Sequence, residues 1–205
     1  MWRDLISAIG TLIAIYTYWA YIKTILAGES KPHRVTWAGW TLVGLLGIVS
    51  SIRGGAGVGL VVTATFALGV AVIFILSCFP GYGKPGGTKL DLLAGVVAAA
   101  ALLTQLFVDY SPNVGQTLAV AADVVFLWPT VREAWRHPEF EAARPWIIGA
   151  SGEALGIAAL GNYSYGSAAY SVYLLIGNLL VIVALKATPW SKKTKKSTKK
   201  RWHKS

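Results

Sequence analysis

Apolar residues arrive along this chain in seven runs, at roughly 5–26, 35–53, 57–79, 89–108, 113–135, 144–161 and 166–187, separated by short polar, glycine-rich or proline-rich breaks. A helix rises 1.5 Å per residue, so a run of ~20 residues spans the ~30 Å hydrocarbon core of a bilayer. The pattern therefore predicts seven transmembrane helices. The first run is too long for the apolar centre of a signal peptide, and the next follows within about ten residues, so it is kept as helix one.

Charge sharpens the topology. With the N-terminus outside, 17 of the 19 Lys and Arg residues fall on the inner side, and only Arg3 and Arg53 remain outside. Membrane insertion retains basic loops on the cytoplasmic face, which gives an outer N-terminus, a cytoplasmic C-terminus and, with such short loops, a bacterial inner membrane as the expected location. Composition agrees: 55% of residues are hydrophobic, 14% are charged, and mean hydropathy is +0.54. The net charge of +10 is mostly a tail, because eight basic residues lie between Lys192 and Ser205. Residues 189–205 are too polar to fold alone and are expected to rest on anionic lipid rather than nucleic acid. The sole cysteine, Cys78, sits in an apolar run and reads as a small buried hydrophobe.

An internal repeat orders the runs. Shifting the chain by 109 residues without gaps brings Trp19 onto Trp128, Trp37 onto Trp146, Leu46-Gly47-Ile48 onto Leu155-Gly156-Ile157, and Gly57 onto Gly166. The expected fold is an all-α membrane protein with seven helices in a 3+1+3 arrangement. It divides into a first three-helix repeat (1–80), an inner loop and linker helix (81–110), a second repeat (111–188) and the basic tail. A single linker crossing lets both repeats start on the same side, so they run parallel about an axis normal to the membrane.

This layout, with a basic inner loop between the first two helices of each repeat (Tyr21–Pro32 and Trp128–Arg136), resembles the PQ-loop/SWEET-like membrane transporters. The resemblance covers nearly the whole chain before the tail, although no Pro-Gln dipeptide occurs. It implies alternating access around proline hinges, a role that Pro129 and Pro145 fit in the second repeat; their repeat mates are Ala20 and Thr36. It also implies a substrate-facing asparagine in helix seven, which Asn178 matches, with Gly69 as its mate.

Independently of that resemblance, polar residues near the middle of apolar runs are costly and so are functional candidates. Asp123, Glu153 and Asn178 each lie roughly nine to twelve residues from a helix end, which sets all three near the bilayer midplane. Their repeat mates Ala14, Gly44 and Gly69 are small, so one half supplies hydrogen-bonding groups and the other supplies room. Taken alone, Asn178 reads rather as a structural interhelical bond than as a ligand contact. No basic residue lies at similar depth, so Asp123 and Glu153 are protonated, hydrated or turned toward substrate, and either is a proton-coupling candidate. Trp19, Trp128 and Tyr173 are candidate walls of a substrate site, against the competing reading of helix packing. Trp37 and Trp146 are explained by the interfacial aromatic belt. The sequence carries no metal-ligand spacing, nucleophile elbow or phosphate loop, and no cofactor or enzymatic activity is expected. The expected function is movement of a small polar solute, a sugar or similar metabolite. The alternative is a non-transporting receptor or assembly protein that uses its basic inner loops and tail.

Overall fold

The computed structural model describes residues 1–84, 89–107, 111–138 and 141–187. Among these the chain is almost entirely helical: α1 (Trp2–Leu26), α2 (Arg34–Arg53), α3 (Leu60–Cys78), α4 (Lys89–Phe107), α5 (Pro112–Arg136), α6 (Ala143–Ala159) and α7 (Tyr165–Ala187). The basic tail, and with it the expected lipid contact, lies outside the described residues.

Local chemistry explains where the helices stop. α1 gives way to Gly28 at φ 75°, a left-handed position that glycine occupies without a Cβ penalty. α5 opens with Pro112 at its first position, where a missing N–H breaks no helical bond, and Ser111 Oγ accepts from the Asn113 N–H at 3.3 Å. After α3 the chain folds back across the loop between α1 and α2. Lys84 N–H donates to Pro32 C=O at 2.9 Å, Arg34 N–H donates to Lys84 C=O at 3.2 Å, and Arg34 Nε donates to Ser77 C=O at 2.7 Å. Cys78 is exposed at the end of α3 rather than buried.

Among the described residues five helices are long and apolar enough to cross a membrane: α1, α2, α3 with the 3₁₀ turn Gly57–Gly59 before it, α5 and α7. α6 has 17 residues, about a turn short of the ~20 that span the hydrocarbon core. The apolar stretch of α4 covers only Gly95–Thr104. The surface is that of an integral membrane protein. Leu5, Ile9, Leu12, Ile15 and Trp19 form an exposed stripe at three- and four-residue spacing on α1, while Ser7, Gly10, Ala14 and Thr17 are buried on its other side. Large apolar residues outside and small or polar ones inside invert the soluble pattern, and a lipid solvent accounts for it.

Packing follows the small residues. α3 lies against both α1 and α2, α7 lies against both α5 and α6, α1 packs on α6, α2 packs on α5, and α4 lies across α2 and α5. Gly10, Gly152 and Gly156 leave space that Val62, Phe66 and Ile13 fill. Gly54 lies so near the chain that a Cβ there would stand 2.5 Å from the Gly166 carbonyl oxygen. The main apolar core runs through Tyr21, Trp37, Trp40, Leu46, Phe126 and Tyr170, and it borders the site described next.

Candidate functional site

Asp123 lies in the middle of α5, 2% exposed, on the face that α5 turns toward α7. Tyr170 of α7 donates its hydroxyl to Asp123 Oδ2 at 3.0 Å. The tyrosine is itself held by Gln116, one of the largest fully buried side chains. Gln116 Oε1 accepts from Tyr170 N–H at 2.9 Å, and its Nε2 donates to Gly166 C=O at 3.0 Å and to Ser51 Oγ at 3.1 Å. Tyr170 N–H and Gly166 C=O are the pair an α-helix bonds to each other, so a side-chain amide from α5 spans one rung of α7. A buried amide satisfied on both ends fixes its neighbours. Here it fixes the tyrosine that meets Asp123.

Glu153 stands on α6, 1% exposed, and its Oε2 is buried without a hydrogen-bond partner. The Tyr173 hydroxyl is likewise buried and unpartnered. Asn178 is half-buried, donates Nδ2 to Leu174 C=O of its own helix at 2.8 Å, and turns Oδ1 toward Gly149 of α6. A Cβ at Gly149 would stand 3.0 Å from that oxygen, so the Asn178 side chain would have to give by a few tenths of an ångström.

These groups border one cavity of about 110 Å³, lined by α1, α2, α3, α5, α6 and α7. Asp123, Glu153, Asn178 and Tyr173, expected from the sequence, are all among its lining residues. Space of that size holds several waters, and so a solute of comparable bulk. Of the three small repeat mates only Gly44 borders it. Ala14 is sealed in a cluster with Val62 and Phe66, and a Cβ at Gly69 would overlap the Tyr18 ring, so that space is already filled.

Two aromatic candidates stand elsewhere. Trp19 and Trp128 are 49% and 62% exposed on the outer surface and do not border the cavity. Lys23 Nζ sits 3.7 Å from the Trp19 ring centroid, the arrangement of an outward-facing ring with a basic neighbour. Trp37 and Trp146, assigned to the interface, make the walls instead, together with Tyr21 and Trp40. Trp37 is 7% exposed and stacks on Tyr21 at 5.2 Å, and Trp40 meets Trp37 and Trp146 edge-on at 5.2 and 6.2 Å. Trp37 and Trp146 start their helices as an interfacial belt would have them, but they lean inward. The signal available in the sequence was the Trp37-x-x-Trp40 spacing, which sets two indoles on one helical face.

The two hinge candidates also differ. Pro129 lies inside α5, where it removes the bond to the Val125 carbonyl and weakens the helix at that point. Pro145 is the third residue of α6, where no intrahelical bond is lost, so it begins the helix rather than bending it. It borders the cavity.

At the loop end of this aromatic wall Glu141 accepts from Trp146 Nε1 at 3.1 Å. Burial pushes the Glu141 carboxyl up to about 7 from an ordinary 4.5, against the pull of the Trp146 indole, the Ala142 N–H, Lys84 and Tyr21. The folded state therefore binds more protons than the unfolded state between those values, and stability falls as pH rises from about 4.5 to about 7. Glu141→Gln keeps an acceptor for Trp146 and removes the charge. Its thermal midpoint in detergent is expected to fall less across that window than the wild-type midpoint; identical profiles would show that Glu141 does not carry the proton.

Among the described residues no group of three or more His, Cys, Asp or Glu side chains is gathered to hold a metal. No protein-family model, curated protein or solved structure matches the chain.

Proposed function

We propose that this protein is a transporter that moves a small polar solute across a membrane by alternating access, with the cavity between its helices as the solute site. The observation that carries the reading is a cavity bordered by six helices of a membrane bundle, holding two buried carboxyls with no basic residue among its described lining side chains. A buried ionisable group in a membrane protein is retained at a cost, and the usual return is a solute or proton pathway.

The helix packing supports a 3+1+3 arrangement of two parallel repeats, as in the PQ-loop/SWEET-like transporters. Exchanging α1 with α5, α2 with α6 and α3 with α7 maps the α1–α6 contact onto α5–α2, the α1–α3 contact onto α5–α7, and the α2–α3 contact onto α6–α7. Near the axis this implies, residues about one repeat apart touch: Thr63 Oγ1 and Ser171 Oγ lie 3.2 Å apart, and Asn162 Nδ2 donates to Gly54 C=O at 3.1 Å. In this reading the N-terminus faces outward and the basic loops face the cytoplasm. Asp123 and Glu153 serve as solute contacts and proton carriers, and Asn178 and Tyr173 as further contacts. Pro129, a proline inside α5, is a point for the units to flex about.

The test is uptake into liposomes containing the purified protein, across sugars, amino acids and amines at two pH values. Saturable uptake of one class supports the reading, and none from folded protein rejects it. The basic tail motivates a second reading, an adaptor that binds anionic lipid or a partner through residues 189–205. Deleting residues 191–205 separates the two. A transporter core keeps its flux, whereas an adaptor loses its partner.

A further inference from the structure

We infer that the cavity selects a small organic cation, an alkylamine or quaternary ammonium without a carboxylate, over a neutral sugar or a zwitterion. The inference builds on the transporter reading by naming the chemical class of its solute, but it stands on the lining alone.

Charge comes first. Among the described residues, Asp123 and Glu153 border the cavity and no Lys, Arg or His does. Tyr170 satisfies one oxygen of Asp123, while Glu153 Oε2 is buried and unpartnered. A carboxylate withdrawn from water needs a countercharge or a full set of donors, and the lining offers Glu153 neither. A ligand carrying positive charge supplies it. A zwitterion would bring its own carboxylate beside two others with no basic side chain to receive it, which disfavours amino acids.

The walls point the same way. Tyr18, Tyr21, Trp37, Trp40, Trp146 and Tyr170 all border the cavity. Ring faces carry negative quadrupole charge and attract ammonium groups within ~6 Å, most strongly when both are desolvated. A sugar would call for many convergent donors and acceptors, whereas many of the polar atoms here already serve the protein: the Tyr170 hydroxyl on Asp123, Asn178 Nδ2 and Thr17 Oγ1 on their own helices, Thr63 Oγ1 with Ser171, and Trp146 Nε1 on Glu141. A metal ion is served poorly by rings, and a cavity of about 110 Å³ exceeds what a bare ion fills.

Binding to the purified full chain in detergent tests this without any need for transport. Tryptophan fluorescence and thermal midpoint would be followed while titrating tetramethylammonium, its uncharged carbon isostere, betaine and glucose. Tetramethylammonium is expected to bind saturably and about tenfold or more tighter than the isostere, the discrimination that ~1.4–2 kcal/mol of desolvated cation–ring attraction gives. Glu153→Gln is expected to lose that preference. Asp4→Asn, which removes an exposed acid away from the cavity, is expected to keep it. Equal or tighter binding of the isostere, betaine or glucose by the wild-type chain would overturn the inference. Cation binding without flux in liposomes would leave it standing and reject the transporter reading, and flux of a neutral solute without cation binding would do the reverse.

Discussion

Asp123→Asn and Glu153→Gln are each expected to leave the bundle folded, with an unchanged or higher thermal midpoint, while solute flux falls ~30-fold or more. That loss is the low end of what removing one partner of a buried charge contact costs, about 2 kcal/mol. The opposite signs of the two effects follow from one cause. Each carboxyl is almost wholly buried and faces no basic side chain across the cavity, so its ionised form is held at a desolvation cost that neutralisation relieves. Glu153 should show the larger rise in midpoint, because Oε2 has no partner to lose, whereas Asp123 accepts from Tyr170 and its asparagine replacement must orient an oxygen to keep that bond. Flux in the variants should also lose its dependence on pH if the carboxyls carry the proton. Size-exclusion profiles and thermal midpoints, measured beside flux, separate these effects from misfolding. A fall in midpoint equal to the fall in flux would make the residues structural.

Gly47→Ala is expected to damage stability and site together. A Cβ at Gly47 would stand 2.5 Å from Tyr170 Cδ1, and the ring cannot yield freely, because its backbone is bonded to Gln116 and its hydroxyl to Asp123. Overpacking of this kind costs about 1–3 kcal/mol. Any relief by moving the ring pulls the hydroxyl off Asp123, so ligand binding should weaken along with the thermal midpoint. Gly95→Ala on α4 is the matched control: its Cβ would meet Phe126 Cζ at 4.0 Å, an ordinary contact, and a helical Gly→Ala change is neutral or mildly stabilising there. Equal behaviour of the two variants would mean that the α2–α7 contact does not set the position of Tyr170.

The helices were legible because length and hydropathy are properties of each run alone. The runs expected at 35–53 and 144–161 correspond to Arg34–Arg53 and Ala143–Ala159, and the first helix starts a turn earlier than expected, at Trp2. Polar candidates were legible for the same reason: Asp123, Glu153 and Asn178 stand out against apolar neighbours wherever they point, and all three border the cavity. The direction a large apolar side chain takes was not legible. In a bilayer the outside is as apolar as the core, so hydrophobicity no longer marks the inward face. Trp19 and Trp128 therefore looked like walls and face outward, while Trp37 and Trp146 looked interfacial and close the cavity. Small residues were the better guide. Gly47, Gly149 and Gly152 each adjoin Tyr170, Asn178 or Phe66, side chains that themselves border the cavity. Gln116 was missed because its role depends on meeting one turn of a helix about fifty residues further along the chain.

The most direct test of the central claim is flux of an organic amine into liposomes containing the purified wild-type protein, measured beside Asp123→Asn and Glu153→Gln. The account predicts saturable, pH-dependent uptake in the wild type and its loss in both variants while all three remain folded. Wild-type rates in both variants would contradict it.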